Sequence, residues 1–307
     1  MLDLSEAASD YDLIMIELTD CCNLDCEYCY RSKLKLKGKL ISEEEFLYAV
    51  STIKKNAAIL LCGMGEQFVH PKIYDYIDIL KDRSVQLVSN GTIKIDVNHL
   101  FAHNNIQSIT FSVNGPTEKV MKQSCSGYKT DVLLSNLRDI HEADKCPMAI
   151  NMVIGDSNIH LLKEMVDFCQ DNHVGSLNLL LPTSNLLWVK NNLNEIAGVL
   201  EDVCRYVSEE EKNIQVNLPD TMYCQYNSHI VPYISAGGYV RPCCSHDKGV
   251  NVIGSIKTGD MASIIQSSKW ESFVKNTDCS KCSMNRFQFP GIERLQGTAI
   301  KNERTGK

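Results

Sequence analysis

Six short apolar runs punctuate the first two-thirds of the chain: Leu13–Leu18, Ala57–Cys62, Val85–Val88, Ser108–Val113, Met148–Ile154 and Ser176–Leu181. Each is nearly continuous in apolar character and gives way to a polar, turn-rich stretch. Continuous rather than alternating patterning suits strands buried on both faces, as in a parallel sheet. The segments between the runs carry helical periodicity. Ser42 with Glu45 forms a capping box that opens one helix. Leu161, Met165 and Phe168 share one face of another, spanning about His160 to Cys169. Alternating β/α units predict an α/β fold, a partial (β/α)6 barrel. In such folds the chemistry gathers at the C-terminal ends of the strands.

From about Asp220 the alternation stops, and glycine, proline and cysteine become prominent. A hairpin is expected around Tyr233–Val240, with Gly237–Gly238 at its turn. This reading divides the chain into a barrel over residues 1–215 and a small metal-stapled region with a polar tail over 216–307.

Composition narrows the class. The chain has 307 residues and a formal net charge of −7, with 44% hydrophobic residues. That supports a sizeable core. No run reaches the ~18 apolar residues of a membrane span. The start, Met1–Tyr11, lacks the basic and apolar parts of a secretory signal. A cytoplasmic protein with no membrane partner is expected. The acidic balance argues against nucleic acid as a partner, which calls for a concentrated basic patch. The 14 cysteines are the unusual feature. In a reducing compartment, clustered cysteines point to metal or redox chemistry rather than disulfides.

Cys22, Cys26 and Cys29 lie in a C-x3-C-x2-C spacing just after the first strand, with Tyr28 before the last cysteine. Thiolates are soft ligands suited to iron–sulfur clusters. Three ligands for four irons leave one iron open, and an open position signals chemistry. The alternative is a structural zinc or iron site completed by a remote fourth ligand, which has no need of a barrel mouth. Cys21 reads as packed or spare. The segment resembles the radical S-adenosylmethionine (SAM) superfamily. The resemblance implies a [4Fe–4S] cluster whose open iron chelates SAM, and reductive cleavage of SAM to a 5′-deoxyadenosyl radical that abstracts a substrate hydrogen atom. It also implies a flavodoxin- or ferredoxin-type reductant.

Later strand ends extend the resemblance over roughly Leu13–Ser184. Gly63-Met64-Gly65-Glu66 resembles the family's Gly-Gly-Glu segment, with Met64 in place of the second glycine. The resemblance implies that Gly63, Gly65 and Glu66 meet the SAM amino group, that Ser89, Asn90, Ser112 and Asn151 reach its carboxylate or ribose, and that Leu181 flanks the adenine. A plain turn or capping role stands beside each of these polar residues.

The second set, Cys224-x13-Gly238-x4-Cys243 followed by Cys279-x2-Cys282, admits a closed zinc site. It also resembles the SPASM/twitch extension of radical SAM enzymes, as do Ile253-Gly254-Ser255-Ile256, Trp270 and Phe273. The resemblance implies that Cys224, Cys243, Cys279 and Cys282 bind one auxiliary [4Fe–4S] cluster. Cys244 is left over beside a ligand. Either it is spare, or its thiol returns a hydrogen atom to a substrate radical, as in radical SAM epimerases. Cys125 is a second candidate donor, whereas Cys62, Cys146, Cys169 and Cys204 read as core. Three outcomes compete: epimerisation by thiol quenching, dehydrogenation through the auxiliary cluster, and crosslinking. The β/α pattern begins by about Leu13, which favours a sugar or aminoglycoside-like substrate over a peptide bound through a separate leader-binding domain. A non-enzymatic iron–sulfur or zinc protein is the remaining alternative.

Overall fold

A computed structural model describes residues 11–34, 36, 38–182, 185–219, 231–244 and 252–276. The six apolar runs form β1 (Leu13–Ile16), β2 (Ala58–Leu61), β3 (Val85–Ser89), β4 (Ile106–Ser112), β5 (Met148–Val153) and β6 (Ser176–Leu180). They pair in chain order, all parallel. A further parallel strand, β7 (Gln215–Asn217), continues the sheet beyond β6, where the sequence pattern predicted none. The capping box forms as expected: Glu45 donates its backbone N–H to Ser42 Oγ, and Ser42 N–H donates to the Glu45 carboxylate.

Alternate residues of each strand face opposite ways. One face carries Ile14, Ile16, Ile59, Leu61, Leu87, Ile109, Phe111, Ile150, Met152 and Leu177. It packs against helix residues such as Phe46, Tyr76, Leu133 and Met165 in the main core. The opposite face is the barrel interior. On β1 and β2 it holds Met15 and Leu60, which form a small separate apolar cluster with Val231 and Tyr233.

The hairpin expected near Tyr233–Val240 is present as β8 (Tyr233–Ile234) and β9 (Tyr239–Arg241), antiparallel to each other. Gly238 takes the left-handed conformation its turn needs, with φ +76°. β10 (Gly254–Ser255) pairs with β9. The hairpin is not a detached appendage. β8 lies parallel to β1, with Met15 opposite Tyr233 and Ile16 opposite Ile234, so one ten-stranded sheet runs from β10 to β7. No helix among the described residues is long and apolar enough to cross a membrane.

One buried amide fixes the loop after β3. Asn136, on helix Thr130–Ala143, is 0% exposed. It donates to the carbonyls of Gly91 (3.0 Å) and Ile93 (2.8 Å) and accepts from Ile95 N–H (3.0 Å). Asn136→Leu keeps the approximate volume and orphans these three backbone groups. A loss of roughly 2–4 kcal/mol in unfolding free energy is expected by denaturant titration.

Candidate functional site

The loop after β1 is held at both ends. Ile41 N–H donates to Leu18 O (2.9 Å), Thr19 Oγ1 to Lys39 O (2.8 Å) and Arg31 Nε to Asp20 O (3.0 Å). Leu24 anchors its middle in the core. Cys22, Cys26 and Cys29 all lie half-buried on this one loop. Cys22 Sγ accepts from Leu24 N–H (3.4 Å) and Asn90 Nδ2 (3.8 Å). Tyr28 and Cys125 lie near Cys26. Burial raises the Cys22 thiol and pushes that of Cys26 up to about 12. In the metal-free chain these thiols are therefore protonated at neutral pH, and metal loading must release protons. Among the described residues, no three His, Cys, Asp or Glu side chains meet closely enough to hold a single ion. The donor set is three soft thiols on one loop, and Cys22 Sγ already receives hydrogen bonds, which fits an iron–sulfur cluster.

The segment after β2 presses on this loop. A side chain at Gly65 would collide with the backbone carbonyls of Thr19 and Cys21, so only glycine permits the approach. Glu66 N–H donates to Cys21 O (2.8 Å). The Glu66 side chain, 2% exposed, accepts from Ser89 Oγ (2.9 Å), Asn90 N–H (2.6 Å) and Phe68 N–H (3.1 Å). Desolvation raises its pKa, and these hydrogen bonds oppose the rise. Ser89 Oγ also accepts from Gly91 N–H (3.0 Å). The side chains of Glu66 and Ser89 are thus committed to each other and to backbone, whereas Asn90 reaches the cluster loop through Asn23 Oδ1 (2.9 Å) and Cys22 Sγ. Tyr128 ties the ends of β3 and β4 by donating to Asn90 O (2.9 Å) and Ser112 O (3.4 Å).

Ser112 and Asn151 sit in register on neighbouring strands, and the register continues through Asn178 to Asn217. Asn178 donates to Asn151 Oδ1 (2.8 Å), and Asn217 donates to Asn178 Oδ1 (2.7 Å). This half-buried amide rung crosses the interior at the C-terminal ends of the strands. Sequence reading singled out only its first two members. Leu181 follows β6 at the same end, half-buried against the core.

Glu17 was not singled out from the sequence. It is 3% exposed at the end of β1, and burial raises its pKa. One carboxylate oxygen accepts from Met64 N–H (2.6 Å) and the other from Ala236 N–H in the hairpin turn (3.0 Å), and Tyr233 adds a side-chain hydrogen bond. A side chain at Gly63 would strike Glu17. Glu17 therefore joins the segment after β2 to the hairpin. Its only sequence signal was an acidic residue embedded in an apolar run.

Of the second cysteine set, Cys243 and Cys244 are described, both half-buried just after β9. Cys224, Cys279 and Cys282 lie outside the described residues. Cys244 packs on the interior cluster of Met15, Leu60, Val231 and Tyr233, and so does Cys62, which sequence reading had assigned to the core. Cys125, the second candidate donor, is 3% exposed and belongs to the main core.

The model of the radical SAM superfamily matches residues 16–169, and that of an iron–sulfur cluster-binding domain, SPASM, matches 224–283. Among curated relatives, the sporulation killing factor maturation protein SkfB of Bacillus subtilis is 22% identical over 282 residues, covering 86% of this chain and 68% of its own. A probable GTP 3′,8-cyclase of Methanocaldococcus jannaschii is 18% identical over 273 residues, covering 80% of this chain and 90% of its own. Among solved structures, Streptococcus suis SuiB bound to SAM superposes with a TM-score of 0.70 at 14% identity, over 93% of this chain and 74% of its own. The anSMEcpe protein with bound SAM and a peptide also gives 0.70, at 15% identity, over 94% and 98%. The fold is shared with both. With half of its length matched by the superfamily model, its cysteine loop at the barrel mouth and a SPASM region behind it, the chain belongs to the radical SAM superfamily, whose enzymes use a [4Fe–4S] cluster and SAM, and it carries a further iron–sulfur-binding region.

Proposed function

We propose that the enzyme abstracts a hydrogen atom from a carbon of a peptide substrate and that Cys244 returns one, inverting the centre. The observation that carries this reading is the position of Cys244. It packs on the interior face beside Met15, Leu60 and Tyr233, and this reading assigns its neighbour Cys243, not Cys244, to the auxiliary cluster. SAM bound at the cluster supplies the 5′-deoxyadenosyl radical. Cys22, Cys26 and Cys29 hold that cluster. Cys224, Cys243, Cys279 and Cys282 hold the auxiliary one. The backbone at Gly63 and Gly65 meets the SAM amino group, with Glu66 and Ser89 bracing the segment from behind. Asn90, Ser112 and Asn151 face its carboxylate and ribose, and Leu181 its adenine.

A thiol donor balances simply. The substrate carbon radical takes hydrogen from Cys244, and the sulfur radical left behind is restored by one proton and one electron from a flavodoxin- or ferredoxin-type reductant, as expected in the cytoplasm. A peptide is preferred to a sugar because SuiB has been seen with its precursor peptide SuiA and anSMEcpe with a peptide, and because SkfB matures a killing factor. Dehydrogenation is the second reading, favoured by the auxiliary iron–sulfur region as an electron acceptor.

Two measurements check this reading. Synthetic peptides from short reading frames beside the gene, incubated anaerobically in deuterated water with SAM and dithionite, should gain one deuterium. Cys244→Ala should still form 5′-deoxyadenosine but lose the labelled product. A two-dalton loss that survives in Cys244→Ala would establish dehydrogenation instead. Second, Gly65→Ala forces the segment after β2 off the carbonyls of Thr19 and Cys21. SAM affinity is expected to fall at least tenfold by equilibrium dialysis, with the far-ultraviolet circular dichroism unchanged.

A further inference from the structure

The amide rung across β5, β6 and β7 has a direction. Asn151 lies between Ile150 and Met152, and Asn178 between Leu177 and Leu179, and all four flanking residues belong to the main core. Strand alternation therefore turns both asparagines to the interior face. Asn217 follows Val216 of the same core on β7, the edge strand of the sheet. Gln215, exposed on that edge, donates from Nε2 to Asn217 Oδ1 (2.9 Å). Asn217 donates in turn to Asn178 Oδ1 (2.7 Å), and Asn178 to Asn151 Oδ1 (2.8 Å). Each carbonyl oxygen accepts from the amide on its outer side, and each amide nitrogen of Asn217 and Asn178 donates inward. The relay ends at Asn151, whose Oδ1 is engaged and whose Nδ2 donates to none of the described residues.

We propose that Asn178 is a positioning residue: held by Asn217, it fixes the amide of Asn151 so that both N–H donors of Asn151 are offered to an acceptor oxygen of SAM. This rests on the reading that Asn151 faces the SAM carboxylate or ribose. A side-chain amide is nearly symmetric in shape, so packing alone does not choose between its two flipped orientations, and hydrogen-bond partners do. With Oδ1 taken by Asn178, Asn151 has only donors left to offer. The flipped amide would meet Asn178 nitrogen to nitrogen and would set a carbonyl oxygen against the SAM carboxylate. Hydrogen bonds in a chain polarise one another, so the outer amides strengthen the inner one. The orientation is set before SAM arrives, which lowers the cost of binding. Asn178 acts through Asn151 and has no need to touch SAM itself.

The test is SAM binding by the reconstituted full-length enzyme, measured by anaerobic equilibrium dialysis. Asn178→Asp keeps the shape of the side chain, but its carboxylate accepts from both Asn217 and Asn151 and so turns the Asn151 amide over. SAM affinity is expected to fall about tenfold. In SAM cleavage driven by dithionite, the loss should fall on KM for SAM more than on kcat, because the contact is made before and during the reaction alike. In an Asn151→Ala background the same substitution should change affinity by less than about twofold, since nothing is left to orient. 5′-Methylthioadenosine, which lacks the carboxylate, assigns the contact: a loss shared with it places the contact on the ribose, and a loss confined to SAM places it on the carboxylate. Unmoved SAM affinity in Asn178→Asp overturns the proposal. So does an equally large loss in the Asn151→Ala background, because the new charge would then be acting on SAM directly. Unchanged affinity in Asn151→Ala alone is a separate failure: Asn151 then does not touch SAM, and the reading beneath the proposal falls.

Discussion

The arrangement at the barrel mouth depends on one buried carboxylate. Glu66 accepts hydrogen bonds from Ser89, Asn90 and Phe68, and its own N–H reaches Cys21. A carboxylate taken out of water is costly unless its oxygens are satisfied. Here the donors come from the strand ends that must meet. The loops after β1, β2 and β3 are therefore held in one geometry, with Asn90 carrying the link onward to Cys22. Glu17 repeats the device one step away, joining the segment after β2 to the hairpin that precedes Cys243. The two acidic residues act as braces, and the close approach at Gly65 gives them room to do so.

This bracing explains how distant parts of the chain become one site. Tyr233 is 218 positions from Met15 along the chain, yet the two are partners in adjacent parallel strands. The interior face then divides by chemistry. Around β1, β2 and β8 it is apolar, with Cys62 and Cys244 at its margin. Across β4 to β7 it presents hydroxyl and amide groups, Ser112, Asn151, Asn178 and Asn217, in register. An apolar wall shields a carbon-centred radical from polar side reactions, and a polar wall orients hydroxyl, carboxylate or amide groups.

Much of this was legible in the sequence. All six barrel strands coincide with apolar runs, because strands buried on both faces need continuous apolar character. The cysteine loop was legible because three thiols in close spacing have few structural uses. The hairpin showed through Gly237–Gly238. What escaped notice lacked a local signal. β7 is three residues, Gln-Val-Asn, too short for periodicity. The docking of β8 on β1 is a contact between remote segments, which no window of sequence reports. Glu17 and Glu66 look alike on paper as acidic residues near strand ends, and only burial reveals that both are braces. Cys125 was read as a second candidate donor, and that the fold buries it in the main core is likewise a matter of remote packing.

The central claim is that the loop of Cys22, Cys26 and Cys29 carries the cluster at which SAM is cleaved. The most direct measurement is 5′-deoxyadenosine formation by the anaerobically reconstituted enzyme with SAM and dithionite. The expected result is formation by the parent, loss on replacing Cys22, Cys26 or Cys29 singly with alanine, and retention on replacing Cys243. No cleavage by the fully reconstituted parent, or undiminished cleavage by Cys22→Ala, would contradict it.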